Sequence, residues 1–363
     1  MKLSLRTSAA AALSIALITA SAPATAAPVS IRTFASQQVR LATIAYRISA
    51  ASAELCRPAA LTGIIAHDLT EYDRPLRPAV SRAFSLTSGI GVVGIVPQSA
   101  AEQAGLQIDD EIVRVGGVSV EDASAFGAAA KSYKRHTAFA ALLAGARRSG
   151  AVQLVVRRNG QLRTLELTPQ PGCGGDVALA NSSQLNAWSD GAHVVVTTAM
   201  TRLARSDDEI AFVIAHEMAH NILGHTQGVG QRRGIFGGIA KARRDETEAD
   251  SFAVGLMSRG GYQPQGGIAF LRTVGRRLWW AISLDHPSFD GRIRTVSSAI
   301  AQLPVRNIRY AMATSVAPVA DRLAESVGIR KETAQPSVTL VKHSPKPKPY
   351  LFAGLRSGRS CEY

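Results

Sequence analysis

The chain has 363 residues, of which 46% are hydrophobic and 19% charged, with a formal net charge of +14. This composition excludes a disordered or low-complexity protein and leaves room for two compact domains and a tail. The positive surplus favours anionic surfaces such as acidic lipid headgroups. No nucleic-acid recognition motif accompanies it, so nucleic acid is not an expected partner.

Residues 1–26 read as a secretory signal peptide. Lys2 and Arg6 give a positive start, an Ala-rich apolar run follows from Ser8 to Ala20, and Ala24-Thr25-Ala26 is a small-residue cleavage signature. The alternative is an uncleaved anchor, but the run is shorter than the ~20 residues a spanning helix needs. Export to a bacterial periplasm is the expectation, with peripheral contact to membrane or outer-membrane proteins as an option. No later run is long and apolar enough to span. Of the three cysteines, Cys56, Cys173 and Cys361, an oxidising compartment permits one bridge. Cys56 with Cys173 is the expected pair, because they flank a separate module; three free thiols are the alternative.

Residues 27–87 read as an N-terminal helix and linker belonging to a catalytic unit. Val39, Ile44, Ile48 and Leu55 keep helical spacing, and the Pro- and Arg-rich stretch 58–82 looks like a linker or irregular entry. From Ser88 short strands and glycine turns take over. Residues 91–96 read as a buried strand, 100–105 as a short helix stopped by Gly105, and 111–115 as a second strand closed by Gly116-Gly117. A helical stretch is expected over 121–148. Residues 152–158 and 162–168 form a hairpin across Asn159-Gly160.

The run Val96-Pro97-Gln98-Ser99-Ala100-Ala101-Glu102-Gln103-Ala104-Gly105-Leu106, followed by residues 110–117, resembles a PDZ domain of the bacterial protease-associated kind. It departs from that pattern at Asp109-Asp110, where Gly-Asp is usual. The resemblance, covering 88–170, implies a small β-barrel or sandwich that captures extended peptides by strand addition. Ser88, Gly89, Ile90 and Gly91 are then the candidate carboxylate loop, since glycines let backbone approach an anion. A spacer that binds nothing is the alternative.

Residues 176–300 form the second unit. A β-branched strand at 194–197 precedes a helix over 200–204. Ser206 with Glu209 forms a capping box opening a helix from Asp207 to Leu223, with Gly224 as its stop. A Gly- and Arg-rich loop is expected over 226–244, as a lid, a membrane contact or a solvated loop. Helices follow over 245–259 and 264–281. Residues 301–363 are expected to hold a C-terminal helix and a flexible basic tail.

His216-Glu217-Met218-Ala219-His220 is an H-E-x-x-H motif. On a helix, the i, i+4 spacing puts both imidazoles on one face, able to hold one Zn²⁺, with Glu217 beside them as general base. A catalytic zinc site takes a third protein ligand. His225 follows the helix stop and lacks metzincin spacing, so it reads as a loop histidine. Glu246 is the better candidate. It shares a helix face with Asp250, which can accept the outer N–H of a ligating histidine; Glu248 is the rival ligand.

This set resembles the HtpX-like gluzincins of peptidase family M48, whose pattern is H-E-x-x-H followed by E-x-x-x-D. Asp285-His286-Pro287-Ser288-Phe289-Asp290-Gly291-Arg292 resembles a further element of the family, as does Asn186-Ala187. The resemblance implies an α+β fold, a mainly helical zincin domain with a small sheet. It also implies a zinc endopeptidase acting on protein substrates, misfolded cell-envelope proteins among them. His286 is implied as oxyanion stabiliser or temporary zinc ligand. Arg292 is implied to orient substrate or brace the loop, with a structural salt bridge as the alternative. A peptide-binding protein with a latent metal site is the competing function.

Overall fold

The computed structural model describes residues 31–56, 58–87, 90–120, 139, 142–143, 145, 150–174, 176–191, 193–225, 235–277, 287–304 and 361–362. Ser88, Gly89, His286, the signal-peptide segment, the expected helix over 121–148 (apart from 139, 142–143 and 145) and most of the expected tail lie outside this set. The fold is α+β. No helix among the described residues is long and apolar enough to cross a membrane.

The first helix, α1 (Ile31–Ala50), joins two hydrophobic cores. Its Leu41, Ile44, Ala45 and Ile48 enter the core of the helical unit. Its Ala35 and Val39 pack against Ile65, Val80, Phe84 and Val93 of the other. A 20-residue helix that buries two faces is a rigid strut between the two units.

Residues 58–82, expected as a linker, instead carry strands β1 (Pro58–Leu61) and β2 (Ile64–Asp68), a 3₁₀ turn and the start of helix α2 (Arg77–Phe84). The Pro and Arg residues obscured these elements because strand pairing here is made to partners far along the chain. Strands β3 (Ile90–Ile95), β4 (Glu111–Val115), β5 (Val118–Ser119), β6 (Val152–Arg158) and β7 (Gln161–Leu167) follow, with the short helix α3 (Ala100–Gln103) between β3 and β4. They build a six-stranded antiparallel sheet in the order β2-β3-β4-β6-β7, with β5 beside β4. The PDZ-type sheet therefore begins at Ile64. Asn159 and Gly160 both take positive φ in the β6–β7 turn, the demand an Asn-Gly hairpin meets.

Strand β8 (Gln170–Cys173) pairs antiparallel with β1, placing Pro58 opposite Cys173. Beside this ladder Cys56 and Cys173 form a disulfide spanning 117 residues of sequence. The bridge and the two-stranded ladder close the module where the chain enters and leaves it.

The second unit opens with β9 (Val177–Ala180), β10 (Asn186–Ser189) and β11 (Val194–Thr197). Helices α4 (Thr198–Leu203), α5 (Asp207–Ile222), α6 (Ile235–Arg259), α7 (Gln265–Arg277) and α8 (Phe289–Ala301) follow, and a two-residue strand β12 (Cys361–Glu362) ends the set. The sheet order is β12-β10-β11-β9, with β11 parallel to β9 and antiparallel to β10. Helix α6 starts ten residues before the expected Asp245, because a helical stretch runs straight out of the Gly- and Arg-rich segment.

Helix α5 is buried along its whole middle, from Glu209 to His220. Ser206 caps it by accepting from the Glu209 N–H at 3.2 Å, and three acidic residues in its first turn favour its positive end. The Glu209 carboxylate reaches back to the N–H of Arg205, not to that of the cap residue. Helix α7 comes close to α5 through two glycines. A Cβ on Gly266 would lie 2.6 Å from Asp208, and one on Gly267 would lie 2.5 Å from Phe212.

Removing the bridge frees a loop of more than a hundred residues in the unfolded chain. Cys56→Ser, or reduction, is expected to lower stability by about 2–5 kcal/mol. Urea unfolding with and without reductant measures it, and coincident curves contradict the structural role of the bridge.

Candidate metal centre

The site is built by two helices whose i, i+4 positions face one another. On α5, His216 and His220 sit one turn apart. On α6, Glu246 and Asp250 do the same. All four are buried: His216 and Asp250 completely, Glu246 at 4% and His220 at 7% exposed.

The ligand-capable atoms converge. His216 Nε2 lies 3.1 Å from His220 Nε2. The Glu246 carboxylate lies 3.4 Å from the first and 3.3 Å from the second. Donors held ~2.0–2.1 Å from a tetrahedral ion are themselves ~3.3–3.4 Å apart, so the triangle fits a zinc ion. Among the described residues, His216, His220 and Glu246 are the one group of this kind. Glu217, 1% exposed, follows His216 on α5, and its Oε1 has no hydrogen-bond partner. A buried carboxylate oxygen left unpaired is costly.

The outer nitrogens are also engaged. His216 Nδ1 lies 3.1 Å from Asp250 Oδ1, the contact that fixes a ligating tautomer. Asp250 in turn accepts two hydrogen bonds from Arg292, at 2.9 and 2.7 Å. Burial by itself would raise the Asp250 pKa; the Arg292 charge and then His216 hold it below the ordinary value. For His216, burial pulls the pKa down, while Asp250 and Glu246 override it and raise it to about 10. The pocket therefore favours positive charge at the His216 imidazole.

Arg292 is only 3% exposed and forks onto Asp250. This geometry corrects the expectation that it acts catalytically on substrate. It is a positioning residue, in the salt-bridge role that was the alternative. His225 Nδ1 meets His220 Nδ1, on the side of the ring away from the converging Nε2 atoms. Glu248, the rival ligand, contacts His225 and not the triangle. Neither role could be read from spacing, since both depend on how the chain turns after α5.

Of the expected carboxylate loop, Ser88 and Gly89 lie outside the described residues, and Ile90 and Gly91 begin β3, which pairs with β2 through Asp68 and His67 and with β4 through Ile112 and Glu111. Gly91 also packs on Leu86, which an added Cβ would meet at 2.6 Å. Strand β11 lies between β10 and β9 and is an inner strand of its sheet.

Residues 169–235 match the sequence pattern of Peptidase family M48, and residues 76–132 match that of the PDZ domain. The first match covers His216, Glu217 and His220 and stops short of Glu246, Asp250 and Arg292. The chain thus carries one segment with the pattern of a metallopeptidase family and one with that of a PDZ domain. No curated protein matches it. Among solved structures it is similar to an HtrA-type protease AlgW with decapeptide, at 23% identity over 31% of this chain and 30% of that one, with a TM-score of 0.24. The chain thus spans under a third of that protein.

Removing Arg292 leaves Asp250 buried with half its partners. Arg292→Met is expected to destabilise the protein by about 3–5 kcal/mol, read by denaturant unfolding. A change under about 0.5 kcal/mol contradicts the bracing role.

Proposed function

We propose that the protein is a zinc-dependent endopeptidase of the bacterial cell envelope. In this reading His216, His220 and Glu246 hold the metal, Glu217 is the general base, and misfolded envelope proteins are the substrates. The convergence of two Nε2 atoms and one carboxylate carries the reading, with the buried Glu217 as the residue after His216. Zinc held by these three groups supplies a Lewis acid that polarises a carbonyl and lowers the pKa of water.

The chain's own groups do the rest. Glu217 takes the proton of the attacking water and returns it to the leaving amine nitrogen. Asp250, braced by Arg292, keeps His216 in the tautomer whose Nε2 lone pair faces the centre. The buried walls keep bulk water from screening these charges. His286, beyond the described residues, remains a proposed oxyanion stabiliser or temporary ligand.

In this reading an extended substrate would lie along the outer side of β10. Among the described residues, that edge carries Cys361 and Glu362, which pair antiparallel with Ala187 and Asn186. The chain's own residues thus occupy that edge in the extended conformation a peptide substrate would need. The loop after β10 is tied to α5 by Asn221, which accepts from the Gly191 N–H at 2.7 Å and donates to the His193 carbonyl at 3.1 Å. This fixes the end of the β10–β11 hairpin one residue beyond His220 on the helix. In the PDZ domain, strand addition is open to the terminal strands β2 and β7, among those described.

Glu217→Gln keeps shape and removes the base. Cleavage of unfolded casein should fall by about 10²–10⁴-fold, with zinc content unchanged. Cleavage at the wild-type rate contradicts the mechanism.

A further inference from the structure

Beyond the three ligands, the structure holds a second hydrogen-bonded chain, at the outer nitrogen of His220. His225 Nδ1 lies 3.0 Å from His220 Nδ1, and His225 Nε2 lies 3.3 Å from Glu248 Oε2. We propose that His225 and Glu248 position His220 for metal binding, doing for that ligand what Asp250 and Arg292 do for His216. The inference rests on the proposed ligand set.

The proton positions follow from the contacts. A neutral His220 that presents the Nε2 lone pair to a metal carries its hydrogen on Nδ1. That hydrogen can go only toward His225, whose Nδ1 must then accept. A neutral His225 that accepts at Nδ1 carries its hydrogen on Nε2, and the group facing it is the Glu248 carboxylate. Each donor meets an acceptor, in one order, from ligand to carboxylate. The opposite tautomer of His220 would put a hydrogen on Nε2, pointing at His216 Nε2 only 3.1 Å away, and would block the ligand atom.

The backbone places His225 for this task. Gly224 takes φ of +72°, turning the chain sharply after α5. The His225 N–H then donates to the His220 carbonyl at 3.0 Å, which folds residue 225 back over residue 220. The two rings meet nearly edge-on, with centroids 5.1 Å apart. Glu248 comes from α6, one turn before Ser251 and on a different face from Glu246. The chain therefore also ties the end of α5 to the helix that supplies the third ligand.

The two supports differ in exposure. Asp250 and Arg292 are buried, whereas the Glu248 side chain is 60% exposed. Glu248 should therefore contribute less than His225, and Asp250 more than either.

The test uses full-length protein and zinc alone, with affinity read by competition against a chromophoric chelator. The visible spectrum of the cobalt-substituted protein is the second readout. His225→Ala should weaken zinc about 10–100-fold and shift the cobalt bands. His225→Asn, which restores an acceptor to His220, should recover most of the affinity. Glu248→Ala should cost only a few-fold, roughly the lower end of that range. Wild-type affinity and an unmoved cobalt spectrum in His225→Ala would overturn the proposal. So would an Asn variant as weak as the Ala variant, because that pattern marks lost packing and not a lost acceptor. Glu246→Ala is the separate control. If it keeps tight zinc, the ligand set itself is wrong, whatever His225 does.

Discussion

The structure turns on a buried charge imbalance. Glu217, Glu246 and Asp250 lie on two packed helices, each at most 4% exposed, and Arg292 is a buried cation paired with Asp250. Three buried carboxyl groups thus stand against one buried guanidinium. Holding such charge away from water is expensive unless it is paired. A divalent cation between His216, His220 and Glu246 would neutralise it, and the spacing of those donors matches a tetrahedral ion. The apolar wall of α5 and the fork of Arg292 on Asp250 both serve to keep this cluster dry and fixed.

The surrounding fold holds two helices in register. Helix α5 is pinned at its start by Ser206 and by the close approach of Gly266 and Gly267 on α7. Its end is pinned by Asn221 on the β10–β11 loop and by the turn at Gly224. Helix α1 and the Cys56–Cys173 bridge connect this unit to the six-stranded sheet. The two cores share one helix, so α1 is the element through which a change in one can be felt by the other.

Much of the centre was legible in the sequence because its logic is local. The spacing of His216 and His220, and that of Glu246 and Asp250, specifies shared helix faces wherever helices form. The cap at Ser206 and the Asn159-Gly160 turn are local in the same sense. What could not be read depends on partners distant in sequence. The Pro-rich stretch around β2 gave no sign that Ile64–Asp68 would pair with β3. The position of β11 inside its sheet follows from parallel pairing with β9, which no run of residues announces. Arg292 found Asp250 across 42 residues of chain. His225 was set aside because it misses a known ligand spacing, yet its contact is to a ligand's far nitrogen, where that spacing has no bearing.

The central claim concerns which atoms surround the metal, and zinc-edge X-ray absorption on the zinc-loaded protein reads that directly. The account predicts two imidazole nitrogens and carboxylate or water oxygens at about 2.0–2.2 Å, with no sulfur. A thiolate shell at about 2.3 Å, or a zinc bound through oxygen alone, would contradict it.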